Sequence, residues 1–177
     1  MKKKLFSEIP HLIGDRIKLR RLTPDDTPGL QELMNSPAVY RYLPTFLFEK
    51  KYPDAGTVIS HLYDECFKES IILGIFEGGG FCGLAEMYGY RESIHKISVG
   101  YRLSDKCWGR GIATESLGMM IDYLYNDTDI EIVTASTMAD NQASANVLRK
   151  NDFQMVVHAV CEDWGYADPV LTDKWIR

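Results

Sequence analysis

Apolar and polar residues alternate over residues 16–22 through Ile17, Leu19 and Leu22, the mark of a half-buried strand. Thr23-Pro24-Asp25-Asp26 then reads as a helix start, with a capping hydroxyl, a proline in the first turn and acids at the positive end. This helix is expected to reach Asn35, where Ser36-Pro37 stops it. A second helix over residues 54–68 carries Val58, Ile59, Leu62 and Phe67. Residues 71–76 and 81–90 read as strands joined by a Gly78-Gly79-Gly80 hairpin turn, and 97–103 follows after a short polar turn. Connections this short make the three strands antiparallel, because parallel neighbours need a crossover of roughly a dozen residues or more.

Ala113, Leu117, Met120, Ile121 and Leu124 recur at three- and four-residue steps and predict an amphipathic helix. Residues 130–137 form a β-branched strand, and Asp140-Asn141 caps a short helix through Val147, Leu148, Arg149 and Lys150. Asn151 is its expected left-handed C-terminal residue. Residues 153–161 and 170–176 read as closing strands around an Asp163-Trp164-Gly165 turn. The aromatic stretch 40–52, broken by Pro44 and Pro53, is either a loop packed on the core or a pocket wall.

Between the third strand and the long helix lies Trp108-Gly109-Arg110-Gly111. Glycines lack a β-carbon, so a ligand can approach the backbone, and the first-turn N–H groups of a helix have no partner inside it. The positive end of the helix dipole favours an anion there, and Arg110 would add a mobile charge. Taken alone, Gly-x-Gly fits an ordinary strand-to-helix connection better than a phosphate seat.

A chain of 177 residues with 45% apolar and 25% charged residues suits one domain spanning 1–177. The net charge of −5, with basic residues dispersed apart from Lys2 to Lys4 and Arg20-Arg21, disfavours nucleic acid and suits a cationic acceptor such as an amine. Cys66, Cys82, Cys107 and Cys161 form no C-x-x-C pair, so a reduced, cytoplasmic setting is expected. His11, His61, His95 and His158 show no metal-binding spacing, so no metal is expected. Met1-Lys2-Lys3-Lys4 is followed only by Leu5 and Phe6 before Ser7 and Glu8, so neither a secretory segment nor a membrane span is expected.

The order of these elements resembles the GNAT superfamily of acetyl-CoA-dependent N-acetyltransferases, and within it the ribosomal-protein (alanine/serine) N-terminal acetyltransferases. The resemblance covers nearly the whole chain. It rests on Leu19-Arg20-Arg21-Leu22-Thr23-Pro24-Asp25-Asp26, on Val99-Gly100-Tyr101 with Trp108-Gly109-Arg110-Gly111-Ile112-Ala113-Thr114-Glu115, and on Asn141-Gln142-Ala143-Ser144 leading to Val147-Leu148-Arg149-Lys150-Asn151-Asp152-Phe153. It implies an α+β fold: a mostly antiparallel sheet with two splayed parallel strands, the fourth and fifth in the family's count, and four helices or so. The family's Q/R-x-x-G-x-G/A loop falls on Trp108 to Ala113, with Trp108 where glutamine or arginine is commoner. The resemblance implies that Trp108, Gly109, Arg110, Gly111, Ile112 and Ala113 hold the CoA pyrophosphate. It also implies that Tyr101 and Leu103 contact the cofactor and that Asn141 holds the pantetheine arm, a role compatible with helix capping. Gly100 is placed where a bulge would splay the strands.

An amine acceptor with a pKa of about 8 or about 10 is mostly protonated at neutral pH, so a base is needed. Ser98 stands where the family often has a glutamate. Glu86, an acid within the apolar run Leu84-Ala85-Glu86-Met87, is the substitute, with Glu162 and Asp163 as further candidates and an outward-facing, solvated strand residue as the alternative for Glu86. Leu148 occupies the position of the family's acid tyrosine, and Ser144, one turn earlier, is the candidate for contact with the thiol. Cys107 is read as inert rather than as an acyl carrier. The reading is therefore acetyl transfer to a small amine or a protein N-terminus by direct attack in a ternary complex, in a monomer or homodimer. Two rivals stand beside it. One is a CoA-binding regulatory module without activity. The other is a nicotinamide enzyme with Glu131 on the ribose, opposed by Thr114 at the third glycine position and by the antiparallel strands before the turn.

Overall fold

The computed structural model describes residues 2–177; Met1, which opens the basic N-terminal run, lies outside them. The elements in chain order are β1 (Leu12–Ile13), β2 (Ile17–Arg20), α1 (Thr27–Met34), α2 (Pro37–Tyr40), α3 (Ala55–His61), β3 (Ser70–Glu77), β4 (Gly80–Arg91) and β5 (Lys96–Leu103). They continue with α4 (Ile112–Asp127), β6 (Ile132–Met138), α5 (Gln142–Lys150), β7 (Gln154–Glu162) and β8 (Val170–Ile176). One eight-stranded sheet runs β1-β2-β3-β4-β5-β6-β8-β7, and only the β5–β6 pair is parallel. The mixed α+β architecture expected from the sequence is present.

The sheet has a core on each face, which explains why β3 is buried along almost its whole length. Ile71, Leu73 and Ile75 point into a cluster with Leu117, Met120, Ile121 and Leu124 of α4. Ile72 and Phe76 point into a second cluster with Leu30 and Leu33 of α1 and Val58 of α3. A strand covered on both faces reads as a continuous apolar run, whereas β2, with Lys18 exposed, keeps its alternation.

The first predicted helix ends where expected, at Met34 with Asn35 as its C-cap; after extended Ser36, Pro37 opens a further short helix, α2, because a first-turn residue needs no N–H partner, and five α-helices are present among the described residues. Two local expectations are corrected. The second predicted helix is shorter than expected, since the α-helical turns stop at His61 and a single π turn, Leu62–Cys66, follows. The left-handed residue after α5 is Asp152 (φ 62°), because Asn151 (φ −105°) instead spends its side-chain amide on the Thr114 and Val147 carbonyls at 3.2 and 3.0 Å. Among the described residues, no helix is long and apolar enough to cross a membrane.

Candidate active site

The site begins where two strands part. β5 and β6 pair only at Lys96 with Ile132, Ile97 with Val133, and Ser98 with Thr134. The last pair is closed by a hydroxyl contact between Ser98 Oγ and Thr134 Oγ1 at 2.9 Å. Beyond it β5 stays paired to β4 as far as Leu103, and β6 stays paired to β8 as far as Met138. The facing edges of β5 and β6 therefore diverge while their outer edges are held, leaving backbone groups free to meet a ligand. Gly100 does not cause the splay: it pairs in register with Glu86, and the irregularity in the β4–β5 ladder lies at Tyr88 and Arg91.

Two cavities open on this gap. The larger, about 560 Å³, runs from the start of α4 to the start of α5. The smaller, about 270 Å³, is walled by the 42–48 loop, β4, β5 and β6. Tyr42, Leu43, Tyr101, Arg102, Asn141 and Ser144 line both, so the cavities meet there.

Gly109 (φ 69°) and Gly111 (φ 76°) adopt the left-handed conformation, and Gly111 is the N-cap of α4 with no side chain capping the helix. A Cβ at Gly109 would meet nothing within 4 Å, so open space lies in front of the turn. The turn is held by Arg16, which donates to the Arg110 carbonyl at 2.9 Å and to Glu115 at 3.2 Å. Trp108, although half exposed, donates its indole N–H to the Leu103 carbonyl at 3.0 Å. Trp108, Gly109, Gly111, Ile112 and Ala113 all line the larger cavity, as do Tyr101 and Leu103. Arg110 is the exception: its side chain is ion-paired with Glu77 and takes no part in the lining, so the expected mobile charge is not delivered there. Besides Arg102, whose guanidinium is taken up by Glu49 and Glu86, the cations on that cavity among the described residues are Arg41 and Lys150, neither of which the sequence marks as a site residue.

At the junction Tyr101 Oη and Ser144 Oγ are 3.0 Å apart. Burial pushes the Tyr101 phenol above its ordinary pKa, against the opposing effect of the Ser144 contact, so it holds its proton at neutral pH. Asn141 caps α5 by accepting the Ser144 N–H at 3.2 Å, and it faces both cavities. Leu148 is buried under the smaller cavity.

Glu86 lies on the wall of the smaller cavity, and Arg102 Nη1 donates to its Oε2 at 2.8 Å. Among the described residues, no hydrogen bond reaches Glu86 Oε1. Arg102 is buried and also donates from Nε and Nη2 to Glu49 at 2.5 and 2.7 Å; Glu49 in turn accepts the Tyr40 hydroxyl at 2.9 Å. Burial pushes the Glu49 carboxyl upward, but the Arg102 charge and its hydrogen bonds outweigh this and hold it below the usual range. This buried network was not foreseen, although an arginine inside the apolar run Val99 to Leu103 signals a buried anionic partner.

The remaining candidates fall elsewhere. Glu162 accepts from Trp164 at 3.1 Å, Thr172 at 2.8 Å and Lys174 at 2.5 Å. Burial would raise its pKa, but these partners lower it on balance, which makes it a poor proton acceptor. Asp163 is exposed and caps the Gly165 N–H at 2.8 Å. Cys107 is buried beside Cys82, whose thiol is pushed up to about 12, chiefly by burial. Glu131 is exposed and lines neither cavity.

A splayed parallel pair flanked by an uncapped glycine turn can seat an elongated ligand with an anionic end. The acetyltransferase (GNAT) domain profile matches residues 16–154, and the chain belongs to that family. The uncharacterized N-acetyltransferase p20 of Bacillus licheniformis is 23% identical over 145 residues, covering 81% of this chain and 82% of that protein. Among solved structures, an acetyl transferase from Salmonella typhimurium that modifies the N-terminal serine of the 50S ribosomal subunit protein L7/L12 superposes with a TM-score of 0.78 and 20% identity, covering 96% of this chain and 97% of that one. Spermidine N-acetyltransferase from Vibrio cholerae, in complex with CoA and spermine, gives a TM-score of 0.76 and 15% identity, covering 93% of this chain and 96% of that one.

Proposed function

We propose that the protein transfers an acetyl group from acetyl-CoA to a primary amine by direct attack. The observation that carries this reading is that the two cavities meet at Tyr101, Asn141 and Ser144, inside the gap between β5 and β6. A donor lying in the larger cavity and an amine in the smaller one would be brought into contact nowhere else. Acetyl-CoA supplies the thioester when bound.

The N–H groups at the start of α4, from Gly109 to Ala113, hold the pyrophosphate, helped by Lys150 and Arg41. Asn141 and the free edge of β5 hold the pantetheine arm. Glu86 receives the proton of the incoming ammonium through Oε1, while Arg102 keeps the carboxylate in place. The amine nitrogen would bond to the acyl carbon and the carbon–sulfur bond would break, with the Tyr101–Ser144 hydroxyl pair giving a proton to the sulfur and regaining one from the nitrogen, which sheds its second proton as the amide forms. Isothermal titration with CoA, paired with a thiol-release assay over an amine panel, tests the reading. Binding in the micromolar range with turnover supports it, and binding without turnover on any amine would favour a regulatory module.

A further inference from the structure

The smaller cavity narrows the choice of amine. Resting on the acyl-transfer reading above, we infer that the acceptor is a small primary monoamine with an aromatic or branched apolar body, and that polyamines and protein N-termini are poor acceptors.

Size and walls come first. The cavity of about 270 Å³ is walled by Tyr42, Pro44, Leu47, Phe48, Tyr88 and Trp164. Its volume falls just below the roughly 300–1,000 Å³ span of small-molecule pockets. Apolar faces of this kind reward a buried ring or branched chain, whereas a peptide backbone lying against them must find partners for its amides elsewhere.

The loop that walls the cavity is tied to a distant turn. Thr45 donates its N–H and its hydroxyl to the Trp164 carbonyl at 2.9 and 3.2 Å. Tyr166 donates its hydroxyl to the Leu43 carbonyl at 2.5 Å, with the Tyr40 carbonyl at 3.3 Å. Gly165 (φ +85°) has no room for a side chain, since a Cβ would lie 1.9 Å from Thr45 Oγ1. The 163–166 turn therefore straps the 40–48 loop and presses Trp164, 8% exposed, against the cavity. A protein terminus brings the following residues of its chain with it, and the strapped loop, which holds Pro44, Phe46 and Leu47 on the cavity wall, restricts the room for them.

Charge disfavours a second ammonium. The carboxylates on the lining are Glu86 and Glu69. Lys51 and Arg102 stand on the same lining, so its two carboxylates are matched by two cations, and Arg102 is ion-paired with Glu86. One ammonium finds Glu86 Oε1, and a second meets a lining with no net negative charge.

The full chain with acetyl-CoA is assayed for thiol release with phenethylamine, isoamylamine, spermidine and a hexapeptide beginning with serine. The expected kcat/KM for the two monoamines exceeds that for spermidine and for the peptide by about tenfold or more, the discrimination within reach of a hydrophobic pocket. Equal or higher values for the peptide or for spermidine overturn the inference while leaving the acetyl transfer intact. Trp164→Ala raises the phenethylamine KM several-fold with the CoA affinity unchanged, and Phe46→Ala, at a cavity residue 61% exposed and thus safe for folding, does the same more weakly. An unchanged phenethylamine KM in both variants refutes the pocket assignment. No CoA binding and no thiol release with any amine would instead bring down the underlying reading, and this inference with it.

Discussion

Replacing Glu49 by alanine strips the buried Arg102 guanidinium of the carboxylate that holds two of its nitrogens. Glu49 is 1% exposed and Arg102 4%, so water does not compensate either charge in the folded state. Removing one partner of such a pair costs about 3–5 kcal/mol, because the remaining charge stays buried. Arg102 keeps Glu86 at 2.8 Å, which places the expected loss toward the lower end of that range. At about 2–4 °C per kcal/mol for a chain of this length, the melting temperature falls by about 10 °C. Scanning calorimetry and urea unfolding at pH 7 read this directly. A loss below about 1 kcal/mol, the value of an exposed pair, would refute the claim that the network is buried and coupled.

The pH dependence has a definite sign. The folded Glu49 carboxyl lies below its unfolded value of about 4.3, so its contribution is complete above that pH and is lost as pH falls through the folded value. The stability gap between the wild type and Glu49→Gln therefore narrows on acidification below about pH 4. A gap that stays constant down to pH 3 would remove Glu49 as its source.

Three further outcomes are expected. Gly111→Glu puts an acid and a strained φ at the start of α4, so the CoA dissociation constant in calorimetry rises by about tenfold or more, while the strain, about 1–3 kcal/mol, lowers the melting temperature by several degrees. Glu86→Gln lowers turnover by about 10²-fold or more, the scale of a general base, most strongly below the amine's own pKa; Ser144→Ala, with Tyr101 still in place, lowers it less in the same thiol-release assay. Asn141→Ala loses the α5 cap, at about 1 kcal/mol of stability, and weakens CoA binding in the same variant.

Most of the architecture could be read from the sequence because its signals are local. The β3–β4–β5 meander follows from loops too short for a crossover, and the glycine turn follows from the step between a strand period and a helix period. The errors were also local but depended on competition between neighbours. Asn151 tolerates a left-handed backbone, yet its amide is worth more to the Thr114 and Val147 carbonyls, so Asp152 takes that conformation. Arg110 stands in the right loop, but a side chain that long chooses its own partner, and Glu77 on β3 is within reach.

The proposed reacting groups were less legible for a different reason: their properties come from partners far away in sequence. Glu86 could be suspected as an acid in an apolar run, but its orientation depends on Arg102, which is held in turn by Glu49, 53 positions away in the chain. The Thr45–Trp164 contact spans 119 positions, and neither residue carries a local mark of it. Ser144 shows the same limit: its helix position was readable, whereas its hydroxyl contact with Tyr101 exists only because α5 packs across the mouth of the splayed strands. Substitutions confined to the glycine turn should therefore act mainly on donor affinity. Changes at Glu49, Trp164 or Tyr101 should alter acceptor chemistry through contacts that no single segment of the chain contains.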